Sequence, residues 1–262
     1  MMSRGRCIEH YSLCRLTAPM RYAVISDIHA NLEALSAFFQ RAASLKINEV
    51  ICLGDIVGYN ASPNECVDVL RVKNARCLMG NHDIRAAGLK PGGDFNQTAE
   101  AALAWTIENL TEENKAFLKS LPLTQRVDNL FFAMHGAIND IDEYVRGWQA
   151  ATSQINLVKE LGLSLCFFGH THISAVYAEC NGSVDVIEEE SFKLRGECAY
   201  LINPGSIGQP RDSNPMPSFL VYDSRTQIVE FHRIDYDVNS AVEKIISAGL
   251  PKRLAERLKL GW

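Results

Sequence analysis

Five of the seven histidines in the chain share a setting with several acidic and amide residues. Each follows a short apolar run, with a glycine or an aspartate within three residues. Carboxylate, imidazole and amide oxygen, with no thiolate, suit Mn²⁺, Fe or Zn²⁺ and disfavour a structural cysteine-type zinc site. The sequence therefore predicts a metal site with these candidate ligands: Asp27, His29, Asp55, Asn81, His82, His135, His170 and His172.

The spacing of the candidate ligands indicates how they meet. Asp27 and His29 are two residues apart after an apolar run, and so are His170 and His172. Alternate side chains of an extended segment share a face, so each pair is expected to project towards one point. Glycine precedes Asp55 and two other ligand positions, which predicts tight turns with little steric bulk near the site.

A pair of metal ions requires a group that both can share. Two ions about 3.5 to 4 Å apart clamp the attacking and leaving oxygens of an in-line displacement. Asp55 is the candidate bridge between them. Two divalent ions, two carboxylates and one hydroxide leave a positive site even in a chain of net charge −5, and such a site attracts phosphate.

Short apolar runs with intervening helical patterns must position these ligands. In the first 80 residues this alternation predicts parallel strands with crossover helices, whose carboxyl ends carry ligands. Asn31 is predicted to cap the first helix rather than to bind metal. In the later half, five runs with short turns predict an antiparallel sheet. The strand runs are 22–26, 49–53, 76–79, 130–134, 165–168, 175–179, 184–188, 200–202, 219–222 and 228–233.

The simplest assembly of these elements is an α/β fold, a two-sheet β-sandwich flanked by helices. Residues 20–262 are expected to form a single domain with a helical insertion at 86–122 and terminal helices at 238–262. Residues 1–19 are expected to be an N-terminal tail, with Met20 as an alternative start.

Composition excludes several classes of protein. No stretch approaches the roughly 18 to 20 apolar residues of a membrane span, so no membrane partner is expected. The eight cysteines occur singly, which gives no sign of a disulfide or zinc framework and favours a reducing, cytoplasmic location. No basic cluster is present, which weighs against nucleic acid as the main ligand. The oligomeric state stays open.

Five segments closely resemble, in order, the motifs of the calcineurin-like metallophosphoesterase superfamily: SDIH at 26–29, GDIVGY at 54–59, GNHD at 80–83, HG at 135–136 and GHTH at 169–172. DIHANLEAL at 27–35 and NPGSIGQPRD at 203–212 are similar to its small bacterial phosphodiesterase branch. The resemblance extends from Met20 to about Arg233. It implies the αββα fold of that superfamily, two mixed sheets flanked by helices. It also implies hydrolysis of a phosphodiester, phosphomonoester or nucleotide phosphoanhydride by a metal-activated hydroxide.

The resemblance further implies a role for each residue. Asp27, His29, Asp55 and His172 would hold one metal ion, and Asp55, Asn81, His135 and His170 the other. His82 would stabilise the transition state or protonate the leaving oxygen, with Asp83 orienting its imidazole. Manganese is the first expectation for both ions, with iron, zinc or nickel as alternatives. The expected partner is a small phosphorylated substrate, nucleotides included.

Some alternatives stay open at this level. The loop at residues 203–212 is either a turn between strands or a segment that places Arg211 on a substrate phosphate. A non-catalytic scaffold of the same fold would be expected to lose ligands, in particular His82, and this chain keeps them. A nuclease would bring a basic groove, which the composition does not show.

Overall fold

The computed structural model describes residues 20–93 and 95–262, and within these residues twelve β-strands form two six-stranded sheets. The predicted tail, residues 1–19, lies outside the described residues. The strands are β1 (Arg21–Ile25), β2 (Glu49–Cys52), β3 (Arg76–Cys77), β4 (Thr124–Val127), β5 (Phe131–Met134), β6 (Leu165–Phe167), β7 (Ser174–Cys180), β8 (Ser183–Val186), β9 (Ser191–Lys193), β10 (Ala199–Pro204), β11 (Ser218–Asp223) and β12 (Ile228–Arg233). The helices are α1 (Leu32–Ala43), α2 (Pro63–Val72), α3 (Asn81–Ala86), α4 (Gln97–Asn109), α5 (Glu112–Ser120), α6 (Gly147–Glu160), α7 (Val238–Ser247) and α8 (Lys252–Leu260).

Both sheets are mixed and helices flank them, which confirms the predicted two-sheet fold. The first sheet has the order β3-β2-β1-β11-β12-β9, and the second has the order β4-β5-β6-β10-β7-β8. β1 runs parallel to β2, with Ile25 opposite Cys52, and β5 runs parallel to β6, with Ala133 opposite Phe167. The carboxyl ends of each parallel pair therefore lie at one edge of their sheet, and the loops that follow them carry the candidate ligands.

Helix α1 shows how local sequence produces this layout. The Asn31 side chain accepts a hydrogen bond from the Ala34 amide at 3.1 Å, which confirms the predicted cap. Leu35, Phe38 and Ala42 follow at helical spacing and are buried. The apolar face of α1 thus packs on the first sheet. Arg41 lies in the last turn of the helix, where a positive charge interacts favourably with the helix dipole.

The predicted antiparallel sheet of the later half is wrong as a single sheet. β7, β8 and β10 belong to the second sheet, whereas β9, β11 and β12 belong to the first. β10 also pairs in parallel with β6. Short turns in the sequence indicate only that neighbouring strands pair. They do not show that the long connection between β10 and β11 carries the chain from the second sheet to the first. Helix α6 was not predicted, and its N-cap, Arg146, makes no capping side-chain hydrogen bond.

Aromatic side chains fill the space between the two sheets. Tyr22 of β1 meets Phe131 of β5 edge to face, with ring centroids 5.1 Å apart, and both side chains are fully buried. Phe167 and Tyr222 extend the same cluster. Edge-to-face contacts of this kind add about 0.5 to 1.5 kcal/mol each to the free energy of area burial. This core fixes the separation of the sheets and therefore of the loops at their edge.

The cysteines behave as expected with one exception. Cys52, Cys66, Cys77 and Cys166 are free and buried. Cys180 and Cys198 form a disulfide, which the single spacing of the cysteines did not indicate. The pairing of β7 with β10, with Glu179 opposite Ala199, brings the two residues together. No helix within the described residues has the length and apolar character needed to cross a bilayer.

Candidate metal centre

Several candidate ligands have an unusual backbone conformation. Non-glycine residues seldom adopt positive φ, and each instance costs about 1 to 3 kcal/mol unless surrounding structure holds it. The ligands with positive φ are Asp27 (55°), His29 (48°), Asp55 (53°), His170 (66°) and His172 (59°). The extended conformation expected for the two pairs is therefore wrong, and the pairs converge through left-handed turns.

Close backbone approaches keep these turns in place. The Asp27 amide donates to the Gly54 carbonyl at 3.0 Å, and the His29 amide donates to the Asp55 carbonyl at 2.8 Å. A Cβ atom at Gly80 would lie 2.1 Å from the Asp55 nitrogen, so only glycine fits there. Glycine before the ligand positions thus permits close approach between loops, as the sequence predicted.

Two groups of side chains have ligand atoms that all lie within 4.8 Å of one another. The first cluster is Asp27, His29, Asp55 and His172, and the second cluster is Asp55, His135 and His170. Asp55 is common to both. Its Oδ2 atom lies 3.4 Å from Nε2 of His29 and 3.4 Å from Nε2 of His135. Its Oδ1 atom accepts a hydrogen bond from the His82 amide at 2.8 Å, which orients the carboxylate.

Hydrogen bonds on the far side of the imidazoles identify which nitrogen is free to bind. Nδ1 of His29 lies 3.1 Å from the Val57 carbonyl oxygen, and Nδ1 of His172 lies 2.6 Å from that of Gln209. Because a carbonyl only accepts, each Nδ1 carries a hydrogen and each Nε2 of the neutral ring carries a lone pair. The two Nε2 atoms nevertheless lie only 3.1 Å apart. A cation between them would stabilise this contact.

The first cluster also contains an unsatisfied carboxylate oxygen. Oδ1 of Asp27 is buried and has no hydrogen-bond partner among the described residues. It lies 3.3 Å from Nε2 of His172. Oδ2 of the same carboxylate accepts from the His170 amide at 3.1 Å. Buried polar atoms are rarely left unpaired, so an orphaned oxygen beside two lone pairs fits a divalent cation.

In the second cluster, too, backbone carbonyls orient the imidazoles, and Asn81 lies beside His135. Nδ1 of His135 lies 3.0 Å from the Leu53 carbonyl oxygen, so Nε2 is the nitrogen available for a ligand. That Nε2 atom lies 3.0 Å from Oδ1 of Asn81. Nε2 of His170 lies 3.1 Å from the Asp142 carbonyl oxygen, which leaves Nδ1 with the lone pair. The structure therefore brings together all seven residues that the resemblance assigns to metal binding.

Burial controls the protonation of the site. It raises the pKa of Asp27 to about 7 and lowers the pKa of His170 to about 3. Burial alone would lower the pKa of His135, as it does that of His170. The charge of Asp55 and its hydrogen bond to the His135 ring act in the opposite direction, and the pKa of His135 is raised to about 9. His135 thus holds a proton against Asp55 at neutral pH. A cation bound to Nε2 of His135 would have to displace that proton.

His82 and Asp83 lie beside the clusters. The His82 ring stacks on Phe95, with centroids 4.4 Å apart, and meets Tyr59 at 4.6 Å. Burial lowers the pKa of His82 to about 4. The Asp83 carboxylate accepts hydrogen bonds from three backbone amides, those of Ile56, Val57 and Gly80.

The hydrogen bond that the His82 ring would donate to the Asp83 carboxylate is not found. Nδ1 of His82 is buried and has no partner within residues 20–93 and 95–262. The Asp83 carboxylate is directed to the turn after β2 instead, because α3 starts at Asn81 and places Asp83 at its third residue. Asp83 therefore acts on the backbone of the ligand loop, which also carries Asp55.

Arg211 lies against the first cluster. Its amide donates to the His172 carbonyl at 3.1 Å. Its Nε and Nη2 atoms donate to Oε1 of Gln209, at 3.2 and 2.9 Å, and its guanidinium stands 5.6 Å from the Tyr59 ring centroid. No ion pair to a carboxylate is found for Arg211 in the described part of the chain. The loop at 203–212 is thus a turn that also delivers a half-buried guanidinium to the site.

Comparison with known proteins decides the family. The sequence model of the calcineurin-like phosphoesterase superfamily domain matches residues 20–227. The chain belongs to this superfamily. An uncharacterized protein of Methanocaldococcus jannaschii is 39% identical to this chain over 244 residues, which cover 91% of this chain and 97% of that protein. The resemblance predicted from the five motifs is confirmed.

Solved structures agree with this family assignment. A metallophosphoesterase from Sphaerobacter thermophilus is 34% identical, with a TM-score of 0.81 over 94% of this chain and 100% of that one. A hypothetical protein from Pyrococcus horikoshii shares the fold, with a TM-score of 0.77 over 92% of this chain and 98% of that one, at 21% identity.

Some residues that support the two clusters had no signal in the sequence. The Asp142 carbonyl receives the His170 hydrogen bond, and the Asp142 carboxylate binds Arg85 at 2.8 Å and also Lys90. Arg85 in turn donates to the Asn81 carbonyl at 2.9 Å. Two ligands of the second cluster are therefore linked through one ion pair. The residues are far apart in the chain, and only the fold reveals the connection.

Proposed function

We propose that this phosphoesterase hydrolyses phosphate esters with two divalent metal ions, manganese being the first expectation. Asp27, His29, Asp55 and His172 would hold one ion, and Asp55, Asn81, His135 and His170 the other. The observation that carries the proposal is the position of Asp55, whose Oδ2 lies 3.4 Å from an imidazole of each cluster. When bound, two ions supply an activated water and neutralise the charge that develops on the phosphate.

The protein's own contribution begins with the loops that orient the ligands. Nδ1 hydrogen bonds to backbone carbonyls fix the rings of His29, His135 and His172, and such bonds also raise the basicity of the ligand nitrogen. The left-handed turns and the Asp83 carboxylate hold the backbone before any ligand arrives. Little rearrangement is then needed on metal binding, which favours tight and well-oriented coordination.

For His82 the environment favours a neutral imidazole. Burial lowers its pKa to about 4, and two nearby divalent cations would lower it further. A neutral ring still donates one N–H hydrogen bond. We therefore assign His82 the stabilisation of a phosphate oxygen in the transition state rather than protonation of the leaving group.

A leaving-group series tests this role of His82. His82→Ala should retain both metal ions and lose about a hundredfold in kcat, because one pre-oriented donor contributes about 10²- to 10³-fold. The loss should be similar for aryl phosphates with good and poor leaving groups. A loss that grows steeply as the leaving group becomes poorer would instead make His82 the proton donor.

Arg211 is proposed to bind a phosphate oxygen of the substrate. Gln209 orients its guanidinium without neutralising it, and the half-buried group forms no ion pair with a carboxylate of the described residues. A substrate phosphate would supply that ion pair. The substrate class is a small phosphorylated molecule, either a phosphodiester, a phosphomonoester or a nucleotide phosphoanhydride.

Metal-dependent hydrolysis tests the proposed activity directly. Chelator-treated protein should be inactive towards p-nitrophenyl phosphate and bis(p-nitrophenyl) phosphate. Activity should return with Mn²⁺, Ni²⁺, Zn²⁺ or Mg²⁺ added singly, and the order of rates identifies the preferred ion. Equal hydrolysis before and after chelation would refute the proposal. So would the absence of hydrolysis with every ion and every ester.

A cytoplasmic location is also proposed, from the four free and buried cysteines. The Cys180–Cys198 disulfide is the observation against it. Thiol alkylation in intact cells, followed by mass spectrometry, shows whether Cys180 and Cys198 are reduced thiols or are joined by the disulfide. A reduced pair supports the cytoplasm, and a fully oxidised pair supports an oxidising compartment.

A further inference from the structure

Helix α8 lies after the segment matched by the family model and yet reaches the metal centre. Leu254 and Leu258 of α8 share a buried cluster with Tyr59, whose ring is 4.5 Å from that of His29. At the end of the helix, the Gly261 carbonyl accepts a hydrogen bond from the Ser213 amide at 2.8 Å. Helix α8 is therefore attached at two points to the loops that surround the site.

Arg257 stands on this helix next to Leu258 of that cluster, one turn before the end that contacts Ser213. The residue is half-buried, and its Nε atom is buried without a hydrogen-bond partner among the described residues. It makes no ion pair with a carboxylate in that part of the chain. Burial lowers the pKa of Arg257, and the positive charge of Arg211 lowers it further.

The two guanidiniums create an unusual local charge. Arg211 stands over the Tyr59 ring and donates to the neutral Gln209 side chain, and neither arginine forms an ion pair with a carboxylate within residues 20–93 and 95–262. Charges withdrawn from water are normally paired or bound to a ligand, because the loss of hydration is unfavourable without a partner. Two half-buried positive charges beside the cluster that holds Tyr59 therefore indicate a place for an anion that no carboxylate of the described residues supplies.

We propose that Arg257 and Arg211 together bind a second phosphate group of the substrate, next to the phosphate that undergoes hydrolysis. The inference rests on the proposed function, because it takes the reacting phosphate to be at the metal clusters. It selects compounds with two or more linked phosphates from the classes named above. A simple diester carries a single negative charge at its phosphate, which leaves one guanidinium without a partner, whereas linked phosphates engage both through charge-assisted hydrogen bonds.

A pair of non-hydrolysable probes tests this proposal. Methylenediphosphonate and methylphosphonate differ by one anionic group, and each is measured as an inhibitor of p-nitrophenyl ester hydrolysis with metal in excess. The wild type should prefer the diphosphonate. Arg257→Gln should reduce that preference about ten- to hundredfold, since a hydrogen bond between charged groups contributes about that factor. Arg257→Lys should give an intermediate value, because it keeps the charge and loses the planar fork.

Arg253→Gln is the matched control. Arg253 lies on the same helix, is exposed and stacks on Trp262 at 5.7 Å, so its loss removes the same charge without touching the site. The control should keep the wild-type preference for the diphosphonate. Circular dichroism and thermal melting verify that each variant is folded.

The outcomes separate this inference from the proposed function. If the wild type hydrolyses the ester but Arg257→Gln and Arg257→Lys keep its full preference for the diphosphonate, the second phosphate site is refuted and the hydrolase activity stands. If Arg253→Gln loses as much preference as Arg257→Gln, the effect is one of net charge and the assignment to Arg257 is refuted. If no ester is hydrolysed, the proposed function fails, and calorimetric titration of the same two phosphonates still measures the role of Arg257.

Discussion

Replacement of Asp55 by asparagine removes the negative charge that both metal clusters share. The substitution keeps the size of the side chain. In the wild type, Oδ1 of Asp55 accepts a hydrogen bond from the His82 amide at 2.8 Å, and the asparagine side-chain oxygen can accept the same bond. The Oδ2 atom, 3.4 Å from an imidazole nitrogen on each side, is the one whose charge is lost. The fold is therefore expected to survive, while metal binding is not.

The size of the effect follows from the charges involved. Two unit charges 4 Å apart attract by about 4 kcal/mol at an effective dielectric constant of 20, and a divalent ion feels at least that much. A loss of about 4 kcal/mol per ion corresponds to roughly a thousandfold weaker binding. At a metal concentration of about 100 times the wild-type Kd, the wild type gains about 2.7 kcal/mol of stability per site, and Asp55→Asn gains almost nothing.

The assay compares the free energy of unfolding with and without metal, for each variant separately. Differences in the stability of the metal-free proteins then cancel. Asp128→Asn is the control, since it neutralises a carboxylate that contacts Tyr22 and Arg76 and belongs to neither cluster. It should keep the metal-induced stabilisation. If Asp55→Asn still binds two ions per chain within tenfold of the wild-type affinity, the shared-ligand reasoning is wrong.

Three further predictions concern the framework and the titration of the site. Reduction of the Cys180–Cys198 disulfide should lower the free energy of unfolding by about 3 kcal/mol, measured by urea titration with and without reductant, because it frees a loop of 18 residues. Gly80→Ala should destabilise by about 3 kcal/mol or more, since its Cβ would meet the Asp55 nitrogen at 2.1 Å, whereas Gly196→Ala, in open space, should change little in the same titration. Metal binding should release a proton from His135 below pH 9 and none above it, because its raised pKa favours the protonated ring at lower pH. Calorimetry in buffers of different ionisation enthalpy measures that release, and an uptake of protons at pH 7 would contradict it.

The local signals in the sequence were sufficient for the fold class and for most of the side chains that meet in the two clusters. Apolar runs that alternate with helical patterns identified β1, β2 and the helix between them, and Asn31 caps α1 as its residue type predicts. Asp27, His29 and Asp55 follow those strands directly. Carboxyl ends of neighbouring parallel strands share one edge, so these ligands had to approach one another.

The conformation of the ligand loops could not be predicted from residue types. Aspartate and histidine adopt left-handed turns only where surrounding hydrogen bonds hold them, as the Gly54 and Asp55 carbonyls do here. The contacts of Asp83 also differ from the predicted ones, because they too depend on the surrounding structure. Its carboxylate binds the backbone of the turn after β2, and adjacency to His82 in sequence gave no indication of that direction.

Sequence by itself thus determined which side chains are available for chemistry and in which kind of element each one stands. Tertiary structure alone decided that strands of the later half divide between two sheets, that Cys180 meets Cys198, and that helix α8 packs in one cluster with Tyr59. The physical reason is the distance along the chain over which each kind of interaction acts. Periodicity, caps and turns act over a few residues, whereas the contacts between distant segments depend on how the whole core packs, and no local pattern encodes that packing.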